Sequence, residues 1–356
     1  MKADHTRHHS SNEVAAFALP LLRGEPLPDV PDARAREIAR GLLRAGLTGL
    51  ALHLVRGKPA APALVAALEE ERNRLRADLA LLYDRMGRFS AMLEAAGVRF
   101  IVLKGGSLAP ILYDAPDHRP MVDVDVLIRR EQWPAVKEAL SRASFHLPKP
   151  EDERYWLANY FNLAVSSPDP RPASFDIHWA LNQEVRYRVD EAGLWERAVP
   201  LVWEGKRYLR LGNEDLLLSL LLHLAHHYFD ARLIWLYDIR LVCARLPLQW
   251  EAVFRRARAW GMATVCGLGL AFVEKVLPGS IPVEALRATC PGPLRRLLLA
   301  PLRSSSPARL FVGDDLRAFQ LLQGILVIDS PADALRFSAG KIARRLRFLG
   351  ARPRLR

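Results

Sequence analysis

The sequence predicts an α+β fold, with a few strands in the middle of the chain between two helical regions. Three observations predict it. Two short apolar runs, Val98–Leu103 and Val122–Ile128, have strand length and are bounded by glycine, aspartate or proline. Ser174–Trp179 alternates apolar Phe175, Ile177 and Trp179 with polar Ser174, Asp176 and His178, the period of a half-buried strand. From about Asp190 onward, leucine-rich helical stretches dominate.

Taken in order, residues 1–31 read as a disordered N-terminus and linker, polar and His-rich over Met1–Asn12 and Pro/Asp-rich over Pro26–Asp32. Residues 32–96 read as a helical segment. One helix runs from about Ala33 to Val55. After a Gly/Pro break a long one follows, its apolar face marked by Leu64, Leu68, Leu75, Leu79, Leu82, Met86, Phe89 and Leu93. Gly97 ends it. Residues 97–189 carry the strands: Val98–Leu103, a short helix Ser107–Tyr113, Val122–Ile128, a helix Glu131–Ala143, and a hairpin of Asn162–Ser166 with Ser174–Trp179 about the turn-rich Ser167–Pro172. Residues 190–340 read as a helical domain, with helices at Glu214–Tyr228, Leu233–Ala244, Gln249–Ala257, Met262–Val276, Pro293–Leu302 and Leu316–Leu326. Residues 341–356 form a basic tail.

The chain has 356 residues, 50% of them hydrophobic, which allows a sizeable core and excludes global disorder. No apolar run is long and clean enough to span a bilayer, and the polar N-terminus lacks a signal core, so a cytoplasmic location is expected. Cys243, Cys266 and Cys290 are odd in number and make no metal knuckle; they read as reduced thiols. The net charge of +12 suits a triphosphate, an RNA or an anionic membrane, and equally a GC-rich genome, so charge alone chooses no substrate.

The chemistry concentrates in Lys104-Gly105-Gly106-Ser107 and, after fifteen intervening residues, Asp123-Val124-Asp125. Strand side chains alternate faces, so Asp123 and Asp125 point the same way. Unpaired like charges repel, and a divalent cation is the obvious reason to keep them together. Mg²⁺ is usually held by one or two carboxylates together with substrate phosphates. A glycine turn at a helix start offers free backbone N–H groups to phosphate. Singly, a Gly-Gly-Ser is a turn and an Asp-x-Asp a solvated strand face; the ordered set is what points to a nucleoside triphosphate and a metal.

The string Leu103-Lys104-Gly105, Leu112-Tyr113, Arg119-Pro120-Met121, Asp123-Val124-Asp125 resembles a bacterial "uncharacterised nucleotidyltransferase" family within the DNA polymerase β-type superfamily. The resemblance implies a small mixed-sheet nucleotidyltransferase core and a third acid on a later strand. Asp176, in an Asp-x-His-Trp string that the family also leads one to expect, is the candidate. It implies an enzyme in which Asp123, Asp125 and Asp176 bind Mg²⁺ (or Mn²⁺) in a two-metal clamp. An NTP would give its NMP to a hydroxyl-type acceptor on a small molecule, peptide or protein, with pyrophosphate leaving. Asp176 would accept the acceptor's proton. Lys104, Gly105, Gly106, Ser107 and Arg119 would bind the triphosphate. A branched side chain at Gly106 is then expected to harm nucleotide binding more than folding. A small molecule or peptide is the favoured acceptor and RNA a further candidate. The competing reading is a catalytically silent nucleotide- or RNA-binding module, against which the presence of all three carboxylates argues.

His223 and His227 lie four apart on one helical face, beside His226 and before Arg232, Trp235 and Asp238. They read as a buried hydrogen-bonding cluster, a zinc site short of a third ligand, or, with His178 and Asp238, part of a substrate cleft. The last reading expects His223 and His227 to face the carboxylates. The C-terminal stretch from Lys341 reads as a packed helix with a solvated basic face, or as a surface for membrane or nucleic acid.

Overall fold

The computed structural model describes residues 2–171, 173–182, 186–227, 232–289 and 327–347. The expected helices at Pro293–Leu302 and Leu316–Leu326, Cys290, and the tail beyond residue 347 lie outside them; up to Arg347 the basic stretch belongs to a helix, Pro331–Arg347. Among the described residues no helix is long and apolar enough to cross a membrane.

The fold is α+β, built on one six-stranded mixed sheet of order β3-β4-β2-β1-β6-β5. The strands are β1 (Phe100–Val102), β2 (Asp123–Ile128), β3 (Asn162–Ser166), β4 (Ser174–His178), β5 (Val199–Trp203) and β6 (Lys206–Arg210). The hairpin β3–β4 is antiparallel as expected, and β4 lies parallel to β2. The sheet is wider than the sequence reading allowed. A second antiparallel hairpin, β5–β6, falls in what read as helical domain, and β6 pairs in parallel with β1. No alternation marks it in the sequence: β5 is apolar throughout although it is an edge with Val202 exposed, and β6 is mostly basic.

The N-terminal expectation is corrected. Lys2–Arg23 is a helix, α1, not a disordered linker. Val14, Phe17, Ala18, Leu21 and Leu22 are buried, and α1 packs on α2 (Asp32–Arg44) and α3 (Thr48–Val55). The apolar spacing of Val14, Phe17, Ala18 and Leu21 is helical; the polar start of the chain hid it. The single helix expected over 33–55 is two, because Gly46 adopts a left-handed φ of 73°. The Gly46 amide then donates to the Leu43 carbonyl (3.0 Å) and the Leu47 amide to that of Leu42 (2.8 Å), closing α2 in a Schellman turn.

The 34-residue helix α4 (Pro62–Ala95) serves two cores. Its first half, through Leu64, Ala67 and Leu68, joins α1–α3 and the C-terminal helices α9 (Asn213–His226), α10 (Leu233–Arg245), α11 (Trp250–Ala259) and α12 (Ala263–Val276). Its second half, through Leu82, Met86, Phe89 and Leu93, covers one face of the sheet with α6 (Trp133–Arg142), while α7 (Pro150–Asn159) leads into β3 and α8 (Glu191–Glu196) into β5. Phe100, Val102, Val124, Val126, Phe175 and Ile177 point into that face. Ile101 and Leu127 belong to the other core. The side of the sheet that carries Asp123, Asp125, Asp176 and His178 is therefore the one turned towards the C-terminal helices.

The Phe175 ring is fully buried and stacks on Phe89 at 4.1 Å between centroids, 10° from parallel. Phe175→Ala removes that contact one residue before Asp176. It is expected to cost about 3–5 kcal/mol, measured as a shift of the urea midpoint without a change of slope.

Candidate active site

The site is set by strand register. In the parallel pair β2–β4, Asp125 lies opposite Asp176, Asp123 opposite Ser174 and Leu127 opposite His178. Two carboxylates and an imidazole thus share one face of neighbouring strands. Among the described residues, only Asp125, Asp176 and His178 bring three metal-ligating atoms within 4.8 Å of one another. Asp123 is on the same face but outside that trio.

The charges are partly balanced. Lys104 places Nζ 2.5 Å from Asp125 Oδ1. His178 donates from Nε2 to the same oxygen at 3.0 Å and lies 3.4 Å from Asp176 Oδ2. Asn162 Nδ2 donates to Asp176 Oδ2 at 2.7 Å. Asp176 Oδ1 and His178 Nδ1 are buried without a hydrogen-bond partner. Burial, the largest influence on Asp125, pushes its pKa up, but Lys104 and His178 outweigh it and hold the carboxyl well below its usual range. Asp176 is burdened by burial in the same way and lowered by His178. Asp123 moves the other way, raised by burial and then by the Asp125 charge. Burial would lower His178, yet its bonds to the two aspartates raise it.

Lys104 opens helix α5 (Lys104–Leu112) and has a left-handed φ of 45°. The amides of the first turn have no acceptor within the helix, so Lys104-Gly105-Gly106 presents free donors at a positive helix end. The two glycines also answer a packing need. A Cβ on Gly106 would lie 2.7 Å from Val102 Cγ1, and one on Gly105 2.8 Å from Met121 Cγ. Ser107 is fully buried, and its hydroxyl donates to the Lys104 carbonyl at 3.0 Å, so it holds the turn and does not face a ligand.

Arg119 and Asp238 are corrected as well. The Arg119 guanidinium is committed to a buried ion pair with Asp238, with Nε 2.8 and 2.9 Å from its two oxygens and Nη2 2.7 Å from Oδ2. Tyr113 donates its hydroxyl to Asp238 Oδ1 at 2.7 Å. Asp238 is fully buried and does not line the cavity; Arg119 has no free face for phosphate. An Arg-Pro-Met string before an Asp-x-Asp strand gives no sign that its arginine pairs with an acid 119 residues away. Arg232 acts on Asp123 instead: its charge helps to lower that carboxyl.

A cavity of about 250 Å³ opens over the site. Lys104, Asp176 and His178 line it from the sheet side, and Ser219, His223, His226 and His227 from α9 and its end. Phe161, Asn162 and Leu181 complete much of the wall. The histidines thus face Asp176, Lys104 and His178 across a cleft, while Asp123 and Asp125 lie outside its lining. Rings pack in series, His223 on Trp235 at 4.4 Å, His227 on Trp235 at 4.9 Å and Phe161 on His226 at 5.2 Å. Burial first, with Lys104 nearby, lowers the pKa of His223 and His227, and burial and the charge of His227 lower that of His226. Three neutral imidazoles offer donors and acceptors to a polar ligand. The His178 position was readable from the two-residue period after Asp176. Asn162 was not, since its place beside Asp176 depends on hairpin register.

Comparison with known proteins agrees with this geometry. The chain belongs to the uncharacterised nucleotidyltransferase family, which matches residues 31–278, well over half its length. No curated protein and no solved structure shows a detectable match. The matched span contains the sheet and helices α9–α12 together, so both walls of the cavity belong to the family unit. Its chemistry is that of a transferase for nucleotidyl groups.

Gly106→Val is now expected to harm stability first, because the new side chain meets Val102 in the core; the midpoint of urea unfolding should fall before nucleotide affinity can be compared. An unchanged midpoint with lost nucleotide binding would restore the simpler phosphate reading. A pH effect follows from the α9 histidines. Their pKa values are lowered in the folded chain, so below about pH 6.5 they take up protons more readily when unfolded. The unfolded state then holds more protons, so stability should fall as pH drops from 7 towards 5. His178, with its raised pKa, works in the opposite sense. Urea midpoints at pH 7.5, 6 and 5 should decline, and less steeply in His223→Gln.

Proposed function

We propose that this protein moves an NMP from an NTP to a hydroxyl-bearing acceptor, with loss of pyrophosphate, on a site held by Asp123, Asp125 and Asp176. The observation that carries this reading is the register that sets Asp125 against Asp176 on one sheet face, beneath a cavity entered by a helix N-terminus. The donor set suits Mg²⁺ or Mn²⁺. It is carboxylate-rich, and Asp176 Oδ1 is buried with no partner, a vacancy that costs energy unless a cation or ligand donor fills it. Asp123, outside the trio but raised by its neighbour's charge, would be the second-metal ligand. A divalent cation bound there would neutralise charge on the transferring phosphoryl group and on the leaving pyrophosphate.

The residues of the chain would do the rest. The free amides of Lys104, Gly105 and Gly106 would hold phosphate oxygens, and Lys104 and Arg232 would supply the cationic charge that Arg119 cannot. His178, donating to Asp125, fixes the orientation of the carboxylates. Asp176 lines the cavity and is the group placed to take the acceptor's proton. The neutral imidazoles of His223, His226 and His227 would hydrogen-bond the acceptor or base on the far wall. The cavity is small and enclosed on the sheet and helix sides, which favours a small molecule or an extended peptide side chain over a folded RNA.

The test is incubation with each α-³²P-labelled NTP, Mg²⁺ and a bacterial extract, followed by separation of labelled products. Label is expected in a small-molecule or peptide fraction. Asp176→Asn should lower transfer roughly a thousandfold, the several kcal/mol that a metal clamp supplies, with an unchanged circular dichroism spectrum. No product from any NTP, or undiminished labelling by Asp176→Asn, would overturn the assignment.

A further inference from the structure

The sequence motif presents Lys104 as a phosphate-binding cation, yet the structure shows it elsewhere. Its ammonium lies 2.5 Å from Asp125 Oδ1, on the oxygen that also accepts from His178. Asp125 is buried, and Asp123 and Asp176 add two more negative charges that act on the same ammonium. An uncompensated cluster of this kind would repel itself strongly. One lysine therefore stands where a metal cation would have to act. The side chain remains partly exposed and lines the cavity, so it has somewhere to go. It springs from the first residue of α5, next to the free amides that suit phosphate.

We propose that Lys104 is a resident counter-ion: it holds Asp125 while no metal is bound, and is released into the cavity, towards the triphosphate, when a divalent cation takes its place. The inference rests on the nucleotidyltransferase reading above. Its consequence is an order of assembly. Metal alone must compete with a covalently tethered ammonium and binds weakly. Metal together with nucleotide binds well, because the displaced ammonium gains a phosphate partner. The lysine would thus couple the two ligands, each raising the affinity of the other by the same factor.

Metal alone provides the probe. Mn²⁺ binding to the nucleotide-free full chain is followed by loss of the free-ion EPR signal. Lys104→Met should tighten Mn²⁺ by about tenfold or more, as removal of a unit charge a few ångströms from the ligand oxygen requires. The same variant should weaken a non-hydrolysable NTP measured at saturating Mn²⁺. Lys104→Arg, which keeps the charge, should bind Mn²⁺ alone about as weakly as the unaltered chain. A merely structural lysine would lose both affinities together, so weaker or equal Mn²⁺ binding in Lys104→Met overturns the proposal. In the unaltered chain, Mn²⁺ should speed acetylation of Lys104 by an N-hydroxysuccinimide ester, read by peptide mass spectrometry; slowed or unchanged acetylation also overturns it, even if the variants fail to fold. Asp176→Asn separates the two levels of argument. If Mn²⁺ binding is absent, or indifferent to Asp176→Asn, the metal reading fails and the counter-ion role with it. If binding needs Asp176 but ignores Lys104, only the counter-ion role fails.

Discussion

Two carboxylates placed side by side on parallel strands are the constraint around which the rest of the site is arranged. Asp125 and Asp176 cannot drift apart, because the alternate residues of the same strands, Val124, Val126, Phe175 and Ile177, are locked into the core beneath α4 and α6. A slip of one residue would turn those apolar groups to the cavity and the acids into the core. Hydrophobic burial on one face of the sheet therefore forces electrostatic repulsion on the other. Lys104, His178 and Asn162 are the local answer: Lys104 bonds to Asp125, Asn162 to Asp176, and His178 reaches both. The answer is incomplete, since Asp176 Oδ1 stays unpartnered and Asp123 is pushed up by burial and then by its neighbour's charge. That residual imbalance is what the proposed divalent cation would relieve.

The second organising contact lies just outside the cavity. Arg119, on the loop that leads into β2, meets Asp238 on α10, and Tyr113 completes the acid's bonding. A buried ion pair of this kind contributes little against well-packed apolar residues, but loss of one partner strands the other charge, at a cost of about 3–5 kcal/mol. Its role is geometric. It ties the approach to the Asp-x-Asp strand to the helical layer that carries the cavity's far wall. Arg240 and Arg245 of the same helix also donate to backbone carbonyls of distant segments, at Leu22 and Leu112. The helical layer is thus held to α1, to α5 and to the loop before β2 by charged side chains as well as by leucine packing.

The glycines show how a single residue type can meet two demands. Gly105 and Gly106 sit buried where α5 begins, just behind Lys104, which lines the cavity. The absent side chains also let α5 settle against Val102 and Met121. Close packing of the helix on β1 and the proposed offer of its first amides to phosphate make the same geometric demand, because the helix end must lie low over the sheet to bring Lys104 to Asp125.

The sequence by itself determined the fold class, the strand order over 98–178 with the helices either side of β2, and the common face of Asp123 and Asp125; it missed the helix Pro150–Asn159 that precedes β3. These rest on local rules: alternation along a strand, the helical period, and glycine at a helix end. It also placed His223 and His227 on one side of a helix, since a spacing of four suffices. Tertiary structure decided everything that depends on which segments meet. The N-terminal helix α1 is held by α2 and α3, and the hairpin β5–β6 by the open edge of β1; neither partner is visible from the segment itself. Arg119 went to Asp238 and not to phosphate because an arginine close to a buried acid is drawn into pairing whatever motif surrounds it. Ser107 turned inward, His178 and Asn162 joined Asp176, and the histidines came to face Asp176, all by long-range register and packing. Local periodicity can say which way a side chain points; only the assembled layers can say what it points at.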